Sequence, residues 1–176
     1  MAHAASAATR TFYFNAYNAG DETWDSGEAN VVDGSTATAG NENENGGYLP
    51  LTSSTCLGVE LGVISIVELR VYFENNYDVN SSRTIVPRLI PYFNGTDVGD
   101  NHNPAPGDYD GAGFPAWSAY FDITTDTNAP AIWTWTDVAN LDCRLEAYRP
   151  NSGRVDVYQV EMRVTYTPRR RIITAR

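Results

Sequence analysis

An all-β fold, an antiparallel two-sheet sandwich of jelly-roll type, is predicted by three observations. Apolar and polar residues alternate with a period of two in several runs, aromatic residues are abundant (11 Tyr, 6 Phe, 4 Trp), and Gly-containing turn signals separate the runs. A period of two with one apolar side is the pattern of a strand that is buried on one face. Aromatic and β-branched residues fit that pleated surface. At 176 residues the chain is long enough for one domain with a full core. We assign residues 11–168 to the sandwich, residues 1–10 to an N-terminal arm and residues 169–176 to a C-terminal arm, so both arms are expected to extend from the body.

The first strand is expected over Thr11–Tyr17. A long loop rich in Gly, Asn and Asp follows over Ala19–Leu51. Val67, Leu69, Val71 and Phe73 then face one way while Glu68, Arg70, Tyr72 and Glu74 face the other. The run Thr84–Phe93 contains Pro87 and Pro91, which places it at a sheet edge or around bulges, because proline donates no ladder hydrogen bond. A second long loop covers Gly95–Trp117, and a short strand is expected over Ser118–Ile123. Loops of that length usually serve binding or packing. Thr136 is a suitable cap for one helical turn near Trp135–Leu141. Cys143, Leu145 and Ala147 alternate against Arg144, Glu146 and Tyr148. Tyr158, Val160, Met162, Val164 and Tyr166 close the chain against Gln159, Glu161, Arg163 and Thr165. Turns are expected at Asp33-Gly34, Gly46-Gly47, Asn94-Gly95 and Asn151-Ser152-Gly153, where glycine accepts a positive φ.

Charge is unevenly placed. Residues 1–168 carry eight arginines against 22 acids, and the last eight residues add four arginines; there is no lysine. Exposed opposite charges steer association. Arg169, Arg170, Arg171 and Arg176 therefore supply charge for an interface, and Ile172 and Ile173 supply a segment that can add to a sheet edge. The expected partners are other copies of this chain. The acidic body argues against nucleic acid, which must be met by cations. No run reaches the roughly 20 apolar residues of a membrane helix, and Met1–Ala8 lacks the charged start and apolar stretch of a secretory signal.

Chemistry-bearing patterns are sparse. His3 and His102 lie in an arm and a loop, no Ser or Cys sits in a nucleophile elbow, and Cys56 and Cys143 are the two cysteines. The expectation is a non-enzyme with no required cofactor and no metal. Asp97, Asp100, Asp108 and Asp110 form the one loop region suited to a structural calcium, set against the ordinary use of Asp in turns. Trp24, Trp117 and Tyr120 are candidate glycan-stacking residues, with Tyr48, Tyr109 and Phe114 also in or beside the long loops. The competing role for such rings is to close the core or an intersubunit seam. Trp133 and Trp135 are assigned to the core or a seam first.

Two stretches carry a resemblance. Asn30–Thr38 resembles an early turn of jelly-roll modules. Trp133-Thr134-Trp135-Thr136-Asp137-Val138-Ala139-Asn140-Leu141, followed by Val157–Tyr166, is similar to the closing half of β-sandwich proteins of tailed viruses, a class related to carbohydrate-binding modules. The resemblance implies a virion protein made in the host cytoplasm: a capsid decoration or tail component that trimerises or tiles with other virion proteins. Its alternative is a carbohydrate-binding module that recognises a surface glycan. No catalytic or metal-ligating residue is implied.

Overall fold

The computed structural model describes residues 6–76, 85–104, 115–148 and 154–169. Ten strands and two short helices follow one another as β1 (Ala8–Tyr17), α1 (Glu28–Val31), β2 (Gly40–Glu42), β3 (Tyr48–Ser54), β4 (Gly62–Asn76), β5 (Val86–Phe93), β6 (Asp97–Val98), β7 (Ala116–Trp117), β8 (Phe121–Asp122), α2 (Trp135–Ala139), β9 (Asp142–Tyr148) and β10 (Arg154–Pro168). The all-β class is therefore correct. The sheets are joined, however, into one curled antiparallel sheet with the order β6-β5-β9-β3-β1-β10-β4-β7, to which β2 adds on β10 and β8 on β4.

The curl is made by β1. Residues 8–13 pair with β10, and residues 14–17 pair with β3. Phe12 and Phe14 both point into the core, so the strand changes partners without changing its buried face. The bend is fixed where the Tyr13 amide donates to Thr55 Oγ1 at 3.2 Å and the Thr55 amide donates to the Tyr13 carbonyl at 3.0 Å. Because β1 starts at Ala8, the last three residues expected in the N-terminal arm belong to the sheet.

The β4–β10 ribbon is the long axis of one half. Val67, Leu69 and Val71 meet Val164, Met162 and Val160 across it, and all six are fully buried. Burying each such side chain contributes about 1.5–3 kcal/mol before entropy is counted. The alternation expected of β10 breaks at a bulge between Val157 and Gln159. Val157 and Gln159 are both buried there, and Tyr158 turns outward to donate its hydroxyl to Glu74 at 3.0 Å. One extra residue in a strand shifts every side chain beyond it to the other face.

The other half is β3, β9, β5 and β6. Leu89 exchanges both backbone bonds with His102 on the side away from β9. Pro87 and Pro91 are in phase with Leu89, so their missing N–H groups fall on this thinly covered edge, as the sequence implied. Asn94 and Gly95 both have positive φ in the β5–β6 turn. Helix α2 is capped by Thr134 rather than Thr136: Thr134 Oγ1 accepts from the Asp137 amide, and Asp137 accepts from the Thr134 amide. This reciprocal box satisfies two otherwise orphaned donors. The loop expected over 19–51 contains α1, β2 and most of β3, and these fold Trp24 inward to 5 % exposure. Cys56 and Cys143 are free and buried, and burial pushes their thiols up to about 11 and about 12.

Glu42 is the unusual member of the core. It is fully buried, its Oε1 accepts the amides of Asn43 and Glu44 at 2.9 and 2.7 Å, and its Oε2 has no hydrogen-bond partner among the described residues. Burial raises its pKa above the ordinary 4.5, against the lowering effect of those amides. The folded protein then binds this proton more tightly than the unfolded chain does. Stability is lost as pH rises through the interval above 4.5, because the native state must hold a buried charge. Glu42→Gln is expected to raise the melting temperature at neutral pH, with the gain vanishing on acidification below that interval. An equal gain at every pH would contradict this account.

Candidate functional site

Trp117 and Tyr120, two of the predicted stacking residues, are brought together on the outer face of the β4–β10 ribbon. The Arg70 guanidinium lies 3.9 Å from the Trp117 ring centroid and 4.5 Å from that of Tyr120, and Arg163 lies 3.6 Å from Tyr120. Tyr72 packs on Trp117 at 4.9 Å and on Tyr158 at 5.4 Å. Directly opposed strand positions give the ion pairs Arg70–Glu161 and Arg163–Glu68, each at 2.7 Å. Arg70 and Arg163 are both already paired and stacked; Trp117 already has Arg70 and Tyr72 against it, and Tyr120 has Arg70 and Arg163. It is a rigid surface rather than an open sugar platform. Trp24, the third predicted residue, is a core side chain and offers no exposed ring.

Of the predicted interface, Arg169 pairs with Glu60 of the same chain at 2.7 Å, both side chains being well exposed. Arg170, Arg171, Ile172, Ile173 and Arg176 lie outside the described residues, as do Tyr109, Phe114, Asp108 and Asp110 of the second long loop. Asp100 belongs to a turn contact, accepting from the Thr127 hydroxyl at 2.8 Å and the Thr127 amide at 3.2 Å. These bonds hold its carboxyl below the usual range. Among the described residues no group of three or more acids, histidines or cysteines is placed to hold a metal ion.

The outer face of the other half is less self-satisfied. With Cys143, Leu145 and Ala147 inward, Asp142, Arg144, Glu146 and Tyr148 point out along β9. A cleft of about 370 Å³ opens beside them, lined by Asn18, Asp21, Tyr48, Tyr92, Asp142 and Arg144 among others. Tyr48 is anchored through its backbone, which exchanges bonds with Thr23: its amide reaches Thr23 Oγ1 at 3.0 Å, and its carbonyl accepts the Thr23 amide at 2.9 Å. Its hydroxyl donates to Asp21 at 3.4 Å. The Arg144 guanidinium lies 4.1 Å from the Tyr48 ring centroid. Arg144 Nε is excluded from solvent and has no hydrogen-bond partner among the described residues.

At the other end of the cleft, burial raises the pKa of Asp142, and a hydrogen bond from the Ser53 amide opposes that shift. Ser53 donates from a left-handed conformation, φ 56°, which is uncommon for a residue with a side chain. The cleft thus combines an underused cationic donor, two carboxylate acceptors and two tyrosine rings. A concave site with a few convergent polar groups is the usual form of a small-ligand site. Tyr48 was among the rings singled out in the sequence. Arg144, Asp142, Asp21 and Tyr92 were not, although the alternation of β9 already placed Arg144 on the outer face.

The chain is thus an all-β protein with a polar, tyrosine-lined cleft on one outer face. No family model and no curated protein matches it. Among solved structures it is similar to the catalytic domain of a GH87 alpha-1,3-glucanase in complex with nigerose, at 12% identity and a TM-score of 0.38. It is also similar to the Agl-KA catalytic domain, at 16% identity and a TM-score of 0.45. Both likenesses cover 98% of this chain and 30% of the other, so the chain spans under a third of those proteins. Those structures are catalytic domains, which runs against the expectation of a non-enzyme, and no activity passes from them to this chain. At these TM-scores no residue role passes from them to it.

Proposed function

We propose that this chain binds carbohydrate in the cleft between Tyr48 and Asp142. The observation that carries the reading is Arg144, a guanidinium stacked on Tyr48 with a buried Nε that no described group satisfies. A buried donor without a partner costs about 1–3 kcal/mol, more when charged, so a ligand oxygen that draws the guanidinium toward the cleft and pairs with it recovers that energy. Sugars supply such oxygens in pairs on a ring whose C–H face suits an aromatic side chain. Asp21 and Asp142 accept from the remaining hydroxyls, and Tyr48 and Tyr92 supply ring surface.

Calorimetric titration with a panel of oligosaccharides tests this. Arg144→Ala is expected to weaken binding by roughly ten- to a hundredfold, the equivalent of one lost charged hydrogen bond. Arg70→Ala, on the other outer face, is expected to leave binding unchanged. Failure of every saccharide to bind, or equal weakening by both substitutions, would remove the reading. Chromatography of the same mixtures shows whether Asp21 and Asp142 also shorten what is bound.

A further inference from the structure

The outer face of the sheet continues past the cleft beyond Arg144. One row across three strands places Tyr48 of β3, Glu146 of β9 and Arg88 of β5 side by side, since Tyr48 and Arg88 are both register partners of Glu146. One pleat further along β9 stands Tyr148, 37% exposed. Arg88 lies 3.3 Å from the Tyr148 ring centroid. It is fixed there by Glu146 at 3.7 Å and by Asn103 Oδ1, which accepts from Nε at 3.1 Å. The arrangement at Tyr48 is thereby repeated: a tyrosine on the outer face with one guanidinium packed on it. A single guanidinium on each ring immobilises the ring while leaving the rest of its surface available, unlike the doubly contacted rings beside Arg70.

We infer that the cleft is one end of a track along β9, from Asp142 to Tyr148, that takes a neutral oligosaccharide chain. This rests on the carbohydrate reading of the cleft. The six steps from Asp142 to Tyr148 span about 20 Å, room for several sugar units in a row. Ring ordering by Arg144 and Arg88 lowers the entropy lost when a ligand stacks. The charges choose the ligand class. Asp21, Asp142 and Glu146 outnumber Arg88 and Arg144, so a string of carboxylates meets net repulsion, while hydroxyls accept from guanidinium and donate to carboxylate. Like-charge juxtaposition is an effective rejection device.

Calorimetric titration of the intact chain and of Tyr148→Ala tests the inference. The probes are disaccharides and longer oligomers of glucose, mannose, galactose and xylose, together with oligogalacturonate. The track requires that longer neutral oligomers bind roughly tenfold or more tightly than the matching disaccharide, and that Tyr148→Ala erases this gain while leaving disaccharide affinity intact. Equal affinity at all lengths, equal weakening of short and long sugars by Tyr148→Ala, or preference for oligogalacturonate overturns the track and leaves the cleft reading standing. Binding of no saccharide at all removes the cleft reading and the track with it.

Discussion

Trp135→Ala is expected to lower the free energy of unfolding by about 3–5 kcal/mol, the range for truncating a large buried aromatic side chain. Trp135 is 6% exposed and stands at the corner where α2 meets β1, β4 and β10. Its ring packs edge-on against Phe12 at 6.2 Å and against Tyr166 at 5.4 Å. Its indole N–H donates to the Gly62 carbonyl at 2.7 Å. Alanine would leave a cavity between three strands and strand that carbonyl without its donor. Trp135→Phe separates the two contributions: it keeps ring packing and loses the hydrogen bond, so a smaller loss of about 1–3 kcal/mol is expected. Urea denaturation followed by circular dichroism reads both, and a loss for Trp135→Ala below about 1 kcal/mol would show that this corner tolerates a void.

Gly62→Ala acts at the same corner by a different route. A Cβ at Gly62 would lie 2.0 Å from the Thr167 carbonyl oxygen and 2.8 Å from its carbon. Both are backbone atoms of the partner strand, in a stretch where Gly62 is the register partner of Pro168 and Val63 that of Thr167. No rotamer change relieves that contact; the two strands must part. Overpacking of this kind costs about 1–3 kcal/mol. The expected signature is that loss in urea melts, together with faster amide exchange confined to residues 62–66 and 164–168. Unchanged exchange at this end of the ribbon would contradict the steric account. The substitution contrasts with one at Gly58, where a Cβ meets nothing within 4 Å and only the left-handed φ of 77° resists it.

The strand faces were legible in the sequence because alternation reports directly on them. Val67, Leu69, Val71 and Phe73 were assigned inward and are 1% exposed or less. Alternation does not report which strand lies alongside, so the switch of β1 from β10 to β3, and with it the joining of two sheets into one, left no local trace. The bulge at Tyr158 was hidden for a related reason: a polar Gln159 buried next to Val160 contradicts the pattern, and tertiary packing overrides it. Thr134 and Asp137 do form a capping-box spacing, and Thr136 competed with it as a plausible cap in the same turn. The cleft was half visible. Tyr48 stood out as a ring beside a long loop, and Arg144 as an outward position on β9. That Arg144 Nε lacks a hydrogen-bond partner among the described residues depends on neighbours from β3, which periodicity within one strand cannot supply.

The pairing of β1 with β10 also constrains the order in which the fold is assembled. Among the described strands β1 comes first in chain order, and one of its two partners, β10, comes last. Residues 8–13 therefore wait, with Phe12 uncovered, until β10 has emerged. The half built from β3, β5 and β9 needs nothing beyond Tyr148 to complete its ladder. During vectorial synthesis the two halves thus become available at different times, the β3–β9–β5 half first. Distant pairings of this kind form slowly and expose strand edges in the interval. Residues 8–13 of β1 then remain an unpaired edge until Arg154–Pro168 arrives to close the sheet over them.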